Sequence, residues 1–197
     1  RRRPLRDHQP EGPAGGRGIG VRAFAGTRAG YAYGTDLSDE GVAEIARAAR
    51  EGAELADEDE FEGLPDEFGT SEVGGLASPG FGDWPTERVV ELAVAVDRAA
   101  RAPAGVTQVE NSVYSDARGS VALANSRGFA ASYEATQAWA YASAFAGEGA
   151  DLMTGLGVDM ARDPGELDPE AIGREAAERA LALVGARQPE SRRCPVV

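Results

Sequence analysis

The sequence predicts an α+β fold in which helices pack on one face of a mainly antiparallel sheet. Three observations predict this class. A glycine-rich segment over residues 18–34 alternates like a hairpin, two amphipathic helical patterns follow it, and residues 107–146 have the two-residue period of a meander. A last helical pattern after residue 168 completes the order.

The first element is a predicted β-hairpin centred on Gly26. Residues 19–25 alternate, Gly26 and Thr27 interrupt the pattern, and residues 28–33 resume it. An alternative is a phosphate-binding loop, because the segment is rich in glycine. A dinucleotide-binding motif places its glycines between a strand and a helix, whereas these glycines precede a strand or occupy a turn. The segment therefore predicts a hairpin rather than a nucleotide site.

The first helix is predicted to begin after Ser38, whose hydroxyl can cap the free N–H groups of the first turn. It is expected to end near Gly52. Residues 53–83 have no sustained period and predict a long surface loop. The predicted apolar face of the helix consists of Val42, Ile45, Ala46 and Ala49.

Two further helices have recognisable ends. Thr86 is predicted to cap a helix that runs to about Arg101. Asp168 and Pro169 are typical first residues of the last helix, and Gly185 is expected to close it.

The meander is predicted as three strands separated by turns at residues 116–119 and 127–128, with a fourth strand over residues 151–160. Its longest strand, residues 129–146, has one aromatic and one small face. The aromatic face carries Tyr133, Trp139, Tyr141 and Phe145, and the small face carries Ala138, Ala140, Ala142 and Ala144. Two interpretations stay open: a core face opposite a solvent face, or a small face that receives another chain.

The net charge of −13, from 33 acidic and 20 basic residues, disfavours nucleic acid and anionic membrane surfaces as partners. No apolar run reaches the roughly 20 residues of a membrane span. A single cysteine, Cys194, excludes an internal disulfide and suits the cytoplasm.

Candidate catalytic and metal residues are few. Cys194 has only His8 as a potential base, and one histidine with one cysteine cannot supply the usual zinc ligands. The acidic residues 57–60 lack the spacing of a calcium loop, so they predict a solvated linker.

Three regions follow from these patterns. Residues 1–17 predict an irregular or disordered leader, residues 18–186 one α+β domain, and residues 187–197 the start of a linker to a C-terminal domain that the sequence lacks.

Four segments, in order, resemble the TldD/PmbA family and more narrowly its PmbA/TldE branch. The resemblance covers about residues 18–197 and makes residues 18–186 the family's N-terminal domain. The segments are GIGVRAFAGTRAGYAYGTDLS, FEGLPDE, ALANSRGFAASYEAT and LDPEAIGREAAERALALVGARQPESRRCPVV.

The resemblance implies a heterodimeric zinc-dependent peptidase that acts on small unfolded peptides. In this family, zinc is held by a His-Glu-x-x-x-His helix of the TldD subunit, and the PmbA/TldE subunit lacks the complete site. This sequence has no such motif, so no catalytic, cofactor-binding or metal residue is carried over, and zinc is implied in the partner subunit. The family has also been called a modulator of DNA gyrase, but the acidic composition shows no DNA-binding footprint.

The predicted function is therefore that of a non-catalytic N-terminal domain of a PmbA/TldE-like metallopeptidase subunit. Its expected partners are a TldD-like zinc-bearing subunit or a second copy, and unfolded peptide. The alternative is a standalone peptide- or protein-binding module. Tyr31, Tyr33, Trp139 and Tyr141 are candidate peptide or partner contacts, with ordinary sheet packing as the competing interpretation.

Overall fold

The computed structural model describes residues 15–194. Over these residues it contains three α-helices and two antiparallel sheets, which confirms the α+β prediction. The elements are β1 (Ile19–Ala25), β2 (Arg28–Gly34), α1 (Asp39–Leu55), α2 (Thr86–Arg101), β3 (Val106–Ala124), β4 (Ala130–Ala146), β5 (Met153–Ala161) and α3 (Pro169–Leu183). Most of the predicted leader and the last three residues of the predicted linker lie outside the described residues.

The chain divides into two compact units, the first ending at Gly69 and the second beginning at Thr70. The predicted boundaries at residues 17 and 186 stay predictions.

The first unit consists of the β1–β2 hairpin with α1 packed on one of its faces. Gly26 occupies the turn with a φ of 67°, in the left-handed region that favours glycine, so the predicted hairpin is confirmed. A Cβ atom on Gly30 would overlap the backbone of Ala49 and Ala53. Glycine at this position therefore allows the backbones of α1 and the hairpin to come into direct contact.

Helix α1 has the predicted cap but a later end. The Ser38 hydroxyl accepts a hydrogen bond from the Gly41 N–H at 3.1 Å, as predicted. The predicted end near Gly52 is wrong, because the helix continues to Leu55 and Gly52 packs against Gly30. Of the predicted apolar face, Ile45 and Ala49 are buried, whereas Ala46 is exposed. Residues 56–85 then contain no helix or strand.

The second unit is a three-stranded sheet in the order β3-β4-β5, with α2 and α3 packed on one face. The covered face consists mainly of alanines and glycines. Ala138, Ala140, Ala142 and Ala144 are fully buried there. The hypothesis that this small face receives another chain is wrong, because the protein's own helices cover it at close range.

The predicted turn at residues 116–119 is also wrong. Strand β3 runs without interruption for 19 residues, and its polar residues pair with β4 from Asp116 opposite Ala138 to Gly119 opposite Ala135. These residues belong to a two-stranded arm, where polar side chains remain exposed without breaking the strand. The chain reverses at Asn125, whose N–H donates to the Phe129 carbonyl oxygen at 2.9 Å.

Of the two remaining predictions of helix caps, one is wrong and one is correct. Helix α2 begins after Pro85 without a side-chain cap, so Thr86 is its first helical residue rather than its cap. Asp168 caps α3 as predicted, because its Oδ1 accepts from the N–H groups of Glu170 and Ala171, both at 3.0 Å. Among the helices of residues 15–194, none combines the length and the apolar character required to span a bilayer.

Candidate functional site

The second unit has a groove along the edge of β4 where β5 has ended. Strand β5 pairs with β4 only from Ala138 onward, so residues 130–137 of β4 have no strand on this side. The segment of residues 70–78 lies here instead, and its Leu76 carbonyl oxygen accepts from the Thr136 N–H at 2.9 Å. Between segment and strand is an open groove of about 1230 Å³.

The groove has a largely apolar lining. It is formed by Thr70, Ser71, Glu72, Val73, Gly74, Leu76, Val121, Leu123, Phe129, Ala130, Ala131, Ser132, Tyr133, Ala135 and Arg162. Several of the large side chains are exposed to solvent, including Leu123 at 64% and Tyr133 at 52%. An occupant with apolar side chains would remove this surface from water.

Thr136 holds one end of the groove in place. Its side chain is almost fully buried. The Thr136 hydroxyl accepts from the Ser78 N–H at 2.9 Å and donates to the Arg162 carbonyl oxygen at 2.7 Å. The Arg162 guanidinium in turn donates to the Thr136 carbonyl oxygen at 3.0 Å. One buried hydroxyl therefore joins the loop, the β4 edge and the end of β5.

A second contact anchors the same loop. The Ser78 hydroxyl donates to Asp163 Oδ2 at 2.6 Å, and Asp163 Oδ1 accepts from the Gly165 N–H at 2.8 Å. These hydrogen bonds, with that of Ser78 the largest cause, lower the pKa of the Asp163 carboxyl below its ordinary value. At neutral pH the Asp163 carboxylate is charged and can only accept hydrogen bonds, so the Ser78 hydroxyl must be the donor in this contact.

The β4 edge offers backbone hydrogen-bonding groups. Along an antiparallel strand, the N–H and C=O groups of successive residues point alternately to one neighbouring strand and to the other. The N–H and C=O groups of Ser132 and Glu134 therefore point to the same side of β4 as those of Thr136. Thr136 already bonds to Leu76 and Arg162 on that side. An extended chain in the groove could continue this pairing at Ser132 and Glu134.

Trp139 and Tyr141, two of the predicted contact residues, lie on the sheet face opposite the helices. Trp139 is aligned with Ser115 and Met160, and Tyr141 with Val113 and Val158. Both aromatic rings are half-buried. They belong to the sheet surface that the helices of this unit leave uncovered.

Tyr31 and Tyr33, the other two predicted contact residues, lie together in the first unit. They are 63% and 77% exposed, and their ring centroids are 6.2 Å apart at an interplanar angle of 25°. Tyr31 covers Gly20, since a Cβ there would meet its hydroxyl at 2.7 Å. The pair occupies the hairpin face opposite α1, in a different unit from Trp139 and Tyr141.

Residues 57–62, all acidic except Phe61, form an open pocket with Ala29 in the first unit. Arg28 pairs with Glu58 at 2.9 Å, and the Asp59 N–H donates to the Thr27 carbonyl oxygen at 3.0 Å. Among residues 15–194 no three side chains of histidine, cysteine, aspartate or glutamate are arranged to hold a metal ion. The described residues therefore do not fit a zinc site.

Comparison with protein families then identifies the chain. The PmbA/TldA metallopeptidase central domain matches residues 79–184, and domain 1 of the same metallopeptidases matches residues 6–56. The chain belongs to the PmbA/TldD family. The two PmbA/TldD matches follow the structural division at Gly69. The domain 1 match contains the hairpin and α1, and the central-domain match contains the three-stranded sheet with α2 and α3.

Two curated PmbA relatives are similar over most of this chain. The metalloprotease PmbA of Escherichia coli O157:H7 is 25% identical over 185 residues, which are 91% of this chain and 40% of the relative. The PmbA homologue of Buchnera aphidicola is 25% identical over 165 residues, 82% of this chain and 37% of the relative. The chain thus spans well under half the length of the PmbA relatives it matches.

Solved structures show the same PmbA/TldD fold. TldE from Thermococcus kodakarensis matches 81% of this chain and 36% of its own, with a TM-score of 0.66 and 23% identity. A Bacteroides thetaiotaomicron protein that bears a DNA gyrase modulator name matches 88% of this chain and 41% of its own, with a TM-score of 0.75 and 20% identity.

Sequence reasoning missed the residues that build the groove, namely Ser78, Thr136, Arg162 and Asp163. One signal was present, because Thr136 directly precedes the alternating alanines on the buried side of β4. A hydroxyl in such a position requires hydrogen-bond partners. Its partners are 26 and 58 residues away in sequence, so local patterns do not reveal them.

Proposed function

We propose that this chain is the N-terminal, non-catalytic part of a PmbA/TldE-like subunit of a zinc-dependent peptidase that acts on small unfolded peptides. Membership of the PmbA/TldD family and the match to its first and central domains support the proposal. In this proposal zinc and its activated water belong to a TldD-like partner, as the resemblance to the PmbA/TldE branch implies. Residues 1–197 contain one histidine and no His-Glu-x-x-x-His.

The groove beside β4 is the observation that carries the peptide-binding part of the proposal. Its open strand edge suits an extended chain, because backbone pairing requires no particular side chains. Its apolar walls, with Val121 and Leu123 on one side and Val73 on the other, suit the apolar side chains that unfolded peptides expose. Together these properties favour short extended peptides of varied sequence over a folded protein.

Four aromatic residues, two exposed and two half-buried, supply the proposed contacts with the partner subunit. Tyr31 and Tyr33 present a stacked pair, and Trp139 and Tyr141 lie on an uncovered sheet face. Large aromatic side chains contribute strongly to protein interfaces because they bury much surface with little loss of conformational freedom. The cytoplasm is the proposed location, because a chain with a single cysteine forms no internal disulfide and suits a reducing compartment.

The test is co-expression with a TldD-like protein from the same source, followed by gel filtration, zinc analysis and cleavage of an unfolded peptide. The proposal expects a stable zinc-containing complex whose peptidase activity depends on both chains. A Leu123→Glu complex should assemble normally and cleave with a raised KM, because the charge enters the groove. Activity of the TldD-like protein alone, unchanged by this chain, would contradict the proposal.

The second candidate is a standalone peptide-binding module, favoured because all residues that line the groove belong to the second compact unit. This candidate expects the isolated chain to bind an unfolded peptide and to form no complex with a TldD-like protein. Fluorescence anisotropy with a labelled unfolded peptide, measured with and without the TldD-like protein, separates the two functions.

A further inference from the structure

The groove beside β4 has one basic and one acidic side chain among its lining residues, Arg162 and Glu72. The chain as a whole is acidic, with a net charge of −13. Of the ion pairs found within residues 15–194, none includes Arg162, which is exposed to solvent. Its positive charge is therefore free to pair with an anionic group of a bound molecule.

A hydrogen bond to the strand fixes this charge at one end of the groove. The Arg162 guanidinium donates to the Thr136 carbonyl oxygen at 3.0 Å, and the N–H of the same threonine donates to the Leu76 carbonyl oxygen. A guanidinium has five N–H donors, and within the described part of the chain that of Arg162 makes this one hydrogen bond. The anchored guanidinium therefore keeps donors for a ligand.

Pairing along the free edge of β4 stops at Thr136. On this side its N–H is paired with Leu76 and its carbonyl oxygen with Arg162. An extended peptide that pairs with Ser132 and Glu134 must therefore end, or leave the edge, beside the guanidinium. A guanidinium repels the positive amino end of a peptide and attracts its carboxylate end. A peptide that ends there runs parallel to β4, with its last residue at Thr136.

We propose that Arg162 binds the free α-carboxylate of a peptide in the groove, so that the preferred ligands are short peptides that present a carboxyl end. The two carboxylate oxygens of the last residue match the fork of N–H donors on a guanidinium. An internal segment of an unfolded protein has no such carboxylate and must leave the groove at Thr136. The inference rests on the proposed peptide-binding function of the groove, and it adds which end of the peptide is recognised.

The experiment is fluorescence anisotropy of the 197-residue chain with a short peptide of alanine, serine and valine, labelled at its amino end. The peptide is made in two forms, one with a free carboxylate and one with a neutral carboxamide. We expect the carboxylate form to bind about fivefold more tightly, because only this form pairs with the guanidinium. The difference should shrink at high salt, which screens the charges.

Variants of Arg162 test the assignment. Arg162→Gln should abolish the difference between the two peptide forms. Arg162→Lys should keep part of it, because lysine retains the charge but not the fork of donors. Arg98→Gln is the matched control, since it removes the same charge from an exposed residue of α2 outside the groove. This control should keep the full preference for the carboxylate form.

Equal affinity for the two peptide forms, with binding still weakened by Leu123→Glu, would refute the role of Arg162 and leave the peptide groove in place. So would an undiminished carboxylate preference in Arg162→Gln, shown to be folded by circular dichroism. A carboxamide peptide ending in aspartate that binds as tightly as the free carboxylate would also overturn the inference, because any carboxylate would then suffice. If neither form binds, both this inference and the peptide-binding function are wrong.

Discussion

Thr136 accepts a hydrogen bond from the Ser78 N–H at 2.9 Å, and this contact joins two segments 58 residues apart. It closes one end of the groove, because Ser78 belongs to the loop and Thr136 to the free edge of β4. The same hydroxyl donates to the Arg162 carbonyl oxygen at 2.7 Å. The Thr136 hydroxyl is therefore one of the anchors that hold the loop against β4, together with the Ser78–Asp163 hydrogen bond.

Replacing Thr136 by valine keeps the volume and removes both hydrogen bonds. We expect the free energy of unfolding to fall by about 1–3 kcal/mol, since a partly buried N–H and a carbonyl oxygen lose a partner. Urea denaturation measures the change, and hydrogen exchange should quicken at Ser78. Thr107→Val, which removes a longer and exposed 3.3 Å bond, should cost less. Equal losses in the two variants would show that Thr136 has no special role.

Asp163 should make stability depend on pH. Hydrogen bonds from Ser78 and Gly165 lower its folded pKa, so the unfolded chain binds a proton more readily as pH falls. The stabilisation is present above the ordinary value of 3.8 and is lost as pH falls through the lower folded pKa. Urea midpoints of the protein and Asp163→Asn should therefore converge in acid. Because Ser78 is the main cause, Ser78→Ala should reduce the difference; if it leaves the difference unchanged, the assigned cause is wrong.

Gly157 should not tolerate a side chain. A Cβ atom there would overlap the backbone of Ile172 and Ala176 in α3, so Gly157→Ala must push the helix away from the sheet. We expect a loss of about 1–3 kcal/mol in thermal or urea unfolding. Gly119→Ala is the matched control, because Gly119 also lies in a strand but has open space around its Cβ position. A stable Gly157→Ala protein would contradict the packing described for α3.

The groove should lose peptide affinity when a charge enters it. Leu123→Glu adds a carboxylate to an apolar wall, and we expect about a tenfold weaker binding of a labelled unfolded peptide. Leu156→Glu is the control, because Leu156 is also exposed, at 46%, but lies on β5 outside the groove. Fluorescence anisotropy measures both. A larger effect of Leu156→Glu would place the peptide site on the sheet surface at β5 rather than in the groove.

The amino-acid sequence alone determined the fold class and the features that depend on neighbouring residues. The turn at Gly26 and the caps at Ser38 and Asp168 were predicted correctly, because each rests on contacts within a few residues. The two faces of β4 were also visible, since strand periodicity separates aromatic from small side chains.

Tertiary structure decided which of those faces the helices cover and where the meander turns. The alanine face is buried because small side chains let α2 and α3 approach the sheet, and the polar residues 116–119 stay in a strand because β4 pairs with them throughout. The groove likewise requires Ser78, Thr136 and Arg162 to meet. Such contacts join distant parts of the chain, so no local pattern contains them.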